Sequence, residues 1–201
     1  MQKKGLERLS LMQLLTTVIK QRFRDSTHEY QSFKSDGGYF FVLRATPPGM
    51  EITISLENNE EQAVKKTIYI LQQIQKYGVS NLEWEKIKKE RLQSLDVVDT
   101  MKSNYWVNEI EKYYNYGEAL PANKQIQIKQ WLASSSLEQF NDMISEFLSK
   151  SPEDIGIIAP AGHKVLSYTE KEVRSWIKDA YQQQIAPYKL PEIPAKLMSA
   201  E

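Results

Sequence analysis

Met50, Ile52, Ile54 and Leu56 alternate with Glu51, Thr53 and Ser55. Successive side chains of a strand point to opposite faces, so a period of two over this length specifies a β-strand with one buried and one wet face. Immediately upstream, the run GGYFFVLRA at 37–45 has the apolar density of a strand buried on both faces. TPPG joins the two, and so short a connection admits only an antiparallel pair.

Helical signals surround this pair. Leu6, Leu9, Leu14, Leu15, Val18 and Ile19 recur at helical spacing, which predicts an amphipathic helix from Leu6 to Arg24. Asn58 with Glu61 is spaced as a capping box for a helix to Tyr77, with Ala63, Ile70, Leu71 and Ile74 inward and Gly78 at the stop. Ser80 with Glu83 is the next box, and further helices are expected at 103–116, 124–132 and 137–149, the last opened by the serines at 134–136. Ile155 to Ala159 reads as a short apolar strand, and Thr169 with Glu172 caps a final helix to Gln184. This order predicts an α+β fold, a small antiparallel sheet with several helices packed on one face. Three or four strands are few for so many helices, so part of the sheet is expected to lie outside this chain. Residues 1–184 form one domain, a fragment of a longer chain, and 185–201, with Pro187, Pro191 and Pro194, form an extended linker or tail.

Composition narrows the chemistry. The 26 basic residues equal the 26 acidic ones, so no net field draws the chain to nucleic acid or anionic lipid. No apolar run reaches membrane-spanning length, and the first residues lack the apolar core of a signal peptide. The absence of cysteine excludes disulfides and thiol catalysis. His28 precedes Glu29 as in a zinc-protease helix, but the position one turn on is Ser32, and the inverted order meets Gln31 and Ser32. His163 has no carboxylate or imidazole at ligand spacing. No metal site is expected from this chain, and no catalytic residue either: Ser134 to Ser136 have no neighbouring base, and the Gly-Gly and Pro-Pro-Gly runs are turns. Tyr105, Trp106, Tyr113, Tyr114 and Tyr116 share one predicted helix, where the spacing of Trp106, Ile110 and Tyr113 favours core packing over a peptide or sugar grip. Glu85 with Lys89 and Glu83 with Lys86 read as ordinary helix-surface pairs.

Taken in order, these pieces resemble a family. A leucine-rich helix ends in QRFRD; MEITISLENNEEQAVKKTIYILQQIQKYGVSNLEWEKIKKERL is similar to the family pattern of strand, helix and Gly-Val/Phe-Thr-x-x-Glu-Leu-x-x-x-Lys; KSNYWVNEIEKYYNYGEALP resembles an aromatic helix before Gly-Glu-x-x-Pro; and SSLEQFNDMISEFLSKSPEDIGIIAPAG resembles a closing helix and strand. From about Leu11 to Met198 the chain is similar to the pitrilysin and insulin-degrading-enzyme group of zinc metallopeptidases, which includes the mitochondrial processing peptidases. That resemblance implies a metallopeptidase αβ-roll half-domain and, for the intact protein, zinc-dependent peptide hydrolysis at a motif outside this segment. It implies no cofactor in this chain, a place in the wall of the peptide chamber, and the remaining domains of the polypeptide and a peptide substrate as partners. A bacterial periplasmic location follows from the same likeness.

Active relatives hold the substrate carbonyl with an Arg and a Tyr seven apart. Here Arg24 and Tyr30 are six apart, and Arg22 and Tyr30 eight. Arg24 and Tyr30 are the substrate-binding candidates; a helix-end arginine before a strand-start tyrosine is the plainer reading. The alternatives are an inactive family member serving as an assembly subunit and a stand-alone module that binds peptide or carbohydrate through the tyrosine-rich helix. An incomplete sheet also predicts self-association through the hairpin.

Overall fold

The computed structural model describes residues 3–27, 33–40, 49–56, 59–96, 101–116, 121–149, 154–157 and 168–190. In chain order these are α1 (Lys3–Thr27), β1 (Phe33–Phe40), β2 (Gly49–Leu56), α2 (Glu60–Tyr77), α3 (Asn81–Asp96), α4 (Ser103–Tyr116), α5 (Pro121–Ser134), α6 (Leu137–Phe147) and α7 (Glu170–Tyr181). The described chain is mostly helical, and its sheet is a two-stranded ribbon in place of the three or four strands expected.

β1 and β2 pair antiparallel, from Phe33 opposite Leu56 to Phe40 opposite Gly49. β1 thus begins four residues before the expected GGYFFVLRA, in the more polar FKSDGGYF. The partner sets this register: the eight residues of β2 are matched one for one with Phe40 back to Phe33. Residues 41–48 lie outside the described residues. Met50, Ile52 and Ile54 are partly buried against the core while Glu51 and Thr53 are exposed, the alternation that the sequence predicts.

α1 is the centre of the packing and touches β1, α2, α3, α5 and α6. Leu11, Met12, Leu14, Leu15, Val18, Ile19 and Phe23 are all buried, a wider apolar surface than one stripe, as a helix surrounded by others requires. Ile70, Ile74, Val79, Trp84, Ile87, Ile128, Leu132, Phe140 and Ile144 complete that core, where the Trp84 and Phe140 rings lie 4.8 Å apart. A second cluster, Val64, Ile68 and Ala180 with Ile54, Trp176 and Ile177, holds α7 and β2 on the other side of α2.

The local stop and start signals mostly act as expected. Ser80 and Glu83 exchange their capping bonds (2.8 and 3.2 Å), and Thr169 with Glu172 and Ser136 with Gln139 form full boxes. Gly78 ends α2 at φ +65°, its N–H donating to the Ile74 carbonyl. The box expected from Asn58 and Glu61 does not cap α2. Asn59 is the N-cap, in the left-handed region with no side-chain capping bond, and its amide donates to Gln62 instead. Glu61 pairs with Lys65 one turn on. Ile155 to Ile157 form no strand: an apolar run needs a ladder partner, and none is paired with it among the described residues. Ile158 and Ala159 lie outside them.

The aromatic helix departs most from expectation. Trp106, Ile110 and Tyr113 of α4 are 47%, 53% and 47% exposed, and Val107 and Tyr114 are exposed beside them, so core packing does not account for this face. Helical spacing identifies a face; it does not supply a neighbour to cover it.

Candidate functional site

Arg24, the sequence candidate, lies on the exposed side of the last turn of α1, where its Nε donates to the Lys20 carbonyl of its own helix at 3.4 Å. Its proposed companion Tyr30, with His28, Glu29 and His163, lies outside the described residues. The structure builds its polar site around Arg22 instead, two residues earlier.

Arg22 is 2% exposed. Its Nε and Nη2 donate to the two carboxylate oxygens of Glu83, each at 3.1 Å, and Nη2 also donates to the Gly78 carbonyl at 2.9 Å. Glu83 therefore serves twice, as the third residue of the α3 cap and as the counter-ion of α1. Gly78 makes this geometry: a Cβ there would come within 2.4 Å of the Asn141 side chain, whose amide holds both the N–H and the carbonyl of Val79. The turn between α2 and α3 is thus clamped from α1 on one side and α6 on the other.

The guanidinium carbon of Arg22 lies 4.3 Å from the centre of the Tyr188 ring. The Tyr188 hydroxyl donates to Asp25 of α1, whose other oxygen accepts from Gln21. Burial, and then the bond to Asp25, push the Tyr188 phenol above the ordinary tyrosine value. Upstream, Ile185 is buried, Tyr77 donates to its carbonyl at 2.8 Å, Gln73 donates to the Ala186 carbonyl at 2.8 Å, and the Ala186 N–H donates to the Tyr69 hydroxyl at 3.2 Å. The start of the proline-rich segment belongs to no helix or strand, and it is fastened to α1 and α2. These contacts were not read from the sequence, although Tyr69, Gln73 and Tyr77 recur every four residues and so share one face of α2.

A polar cleft of about 450 Å³ opens beside this segment, between the start of α2 and Gln183. Lys65 in it is bonded to Glu61 at 2.6 Å and to Asp179 at 3.4 Å, and the bond to Glu61 chiefly raises its pKa, so its charge is already matched. Neither the cleft nor the arginine cluster joins a nucleophile to a base. Ser134 and Ser135 both donate to the Trp131 carbonyl and Ser136 is a helix cap, which gives all three serines structural roles. Among the described residues no three His, Cys, Asp or Glu side chains are grouped to hold a metal ion, so they offer no donor set for zinc. No described helix is long and apolar enough to cross a membrane.

No family profile and no curated protein matches the chain. Solved structures do. A protein described as a predicted insulinase family protease from Yersinia pestis superposes with a TM-score of 0.66 at 13% identity, over 89% of this chain and 40% of its own. The periplasmic protease PqqL from Escherichia coli superposes with a TM-score of 0.70 at 11% identity, over 98% of this chain and 23% of its own. The first half of PqqL gives 0.68 at 10% identity, over 94% of this chain and 42% of that one. The chain thus has the fold of a part of these proteases, as the ordered sequence features indicate, and spans less than half the length of each.

Proposed function

We propose that this chain is the non-catalytic part of a longer zinc metallopeptidase of the insulinase type, forming a wall of the peptide chamber while the metal motif lies elsewhere in the polypeptide. The observation that carries this is the coverage: nearly all of this chain, 98%, superposes on only 23% of PqqL. In this reading the hairpin is completed by further strands into the αβ-roll half-domain, and the intact protein works in the periplasm, where PqqL is found. Arg24 and Tyr30 keep their assignment to the substrate peptide. Arg22 does not share it, because its guanidinium is bound to Glu83 and covered by Tyr188.

The test is hydrolysis of a fluorogenic peptide by the purified chain, alone and with the rest of the encoded polypeptide. The chain alone is expected to be inactive, and the combination active and sensitive to chelator. Chelator-sensitive cleavage by the chain alone, or about one zinc per chain lost on His28→Ala, would overturn the proposal.

The exposed face of α4 favours a second reading, a binding module or assembly subunit that uses Val107, Ile110 and Tyr113 to contact another protein. A gene with no inverted zinc motif on either side of this segment would select it.

A further inference from the structure

Residues 185–188 are held much as a peptide ligand is held. Three contacts read only the main chain: Tyr77 takes the Ile185 carbonyl, Gln73 the Ala186 carbonyl and Tyr69 the Ala186 N–H. Pro187 has no N–H to satisfy, and its ring favours the extended course. Two side chains anchor the segment. Ile185 is 6% exposed, and Tyr188 lies under Arg22 with its hydroxyl on Asp25. Main-chain contacts provide affinity and the two anchors provide selection, the division of labour seen where folded domains receive extended peptides.

We propose that the Tyr69–Gln73–Tyr77 face of α2, with Arg22 and Asp25 of α1, is a peptide groove for the pattern Ile-x-Pro-Tyr, filled by this chain's own residues 185–188 as a detachable strap. Detachment is local for two reasons. The strap belongs to no helix or strand, and the preceding residues Gln182 to Gln184 are exposed. The receiving side chains stand on a helix whose Ile70 and Ile74 are fixed in the main core, so the face persists when the strap leaves. The proposal does not depend on the protease reading.

The experiment uses a fluorescein-labelled peptide of residues 183–190, QQIAPYKL, and fluorescence anisotropy. In the full chain, Ile185→Ala with Tyr188→Ala releases the strap. Saturable binding to this variant is expected, at least about tenfold weaker on the unmodified chain, where the strap competes, and about tenfold weaker again when Gln73→Ala and Tyr77→Phe are added to the released variant. A released variant with the circular dichroism of the parent but no saturable binding, or binding indifferent to Gln73 and Tyr77, overturns the proposal. If the released variant does not fold, hydrogen exchange of the unmodified chain decides. Ala186 exchanging at least about tenfold faster than the Ile74 amide supports a detachable strap; exchange of both only through global unfolding refutes it.

Discussion

Arg22 of α1 and Glu83 of α3, 61 residues apart in sequence, form a two-point ion pair with both bonds at 3.1 Å. The arginine is almost fully buried and the carboxylate nearly so, at 2% and 12% exposure of their side chains. An ion pair in this setting matters most when it is broken, because the surviving charge keeps its desolvation cost without its partner.

Arg22→Ala is therefore expected to lower unfolding free energy by about 3–5 kcal/mol in urea titration. Arg22→Lys should recover little of it, since a single ammonium cannot span Glu83 and the Gly78 carbonyl with the same fork. A loss below about 1 kcal/mol for the alanine variant, in the range of surface pairs, would contradict the buried clamp.

Tyr188 makes stability depend on alkaline pH. Its folded pKa is raised, chiefly by burial, so the folded chain holds the phenolic proton where the unfolded chain releases it. The resulting stabilisation is complete below the unfolded value of about 10 and is lost as pH rises through the higher folded value. Thermal melts of parent and Tyr188→Phe should differ by a constant amount at pH 7 to 9 and converge above pH 10. A gap that stays constant to pH 11 would show that the phenol is not perturbed.

Gly78→Ala meets two obstacles, a positive φ of 65° and contact with the Asn141 amide. A loss of about 1–3 kcal/mol is expected from the backbone conformation alone. Asn141→Ala should cost about 1 kcal/mol for each of its two bonds to Val79. In the double variant the collision is gone, so the combined loss should fall short of the sum; strict additivity in denaturant titrations would exclude the collision.

Phe140 and Ile110 provide a contrast between covered and uncovered apolar side chains. Phe140→Ala, at 2% exposure and packed against Trp84, is expected to cost about 3–5 kcal/mol. Ile110→Ser on α4 should change stability by no more than about 0.5 kcal/mol, because its side chain is 53% exposed. A large loss at Ile110 would mean that α4 is packed in solution.

Among the described residues no further strand pairs with the two-stranded ribbon, and an edge of that kind can take a partner. The isolated chain is expected to associate as concentration rises, seen as increasing mass in light scattering. A constant monomer mass at millimolar concentration would show that those edges are satisfied within one chain.

The boundaries of α3, α6 and α7 are legible in the sequence because their caps are made within four residues: Ser80 with Glu83, Ser136 with Gln139, Thr169 with Glu172. The same spacing at Asn58 and Glu61 misleads, since Asn59 takes the left-handed conformation and starts α2 without a side-chain cap. Alternation predicts β2 and its buried face, but β1 begins at Phe33 because Phe33 pairs with Leu56 at the far end of β2, a partner that the polar run FKSD does not reveal by itself.

What sequence alone determined is thus the local part: the order of helices, the hairpin, the glycine stop at Gly78, and the ordered features whose fold the solved proteases share. Tertiary structure decided which side chains have neighbours. Arg22 and Arg24 stand two residues apart on one helix, yet only Arg22 faces the turn that carries Glu83, and Tyr188 reaches Asp25 across 163 residues. α4 has the apolar spacing of a core helix, yet Trp106, Ile110 and Tyr113 are about half exposed. Bonds between residues a turn apart are encoded by spacing, because the intervening backbone has few conformations. Contacts between distant residues depend on how whole elements pack, and hydrophobic burial, which drives that packing, carries no direction that a pattern along the chain could record.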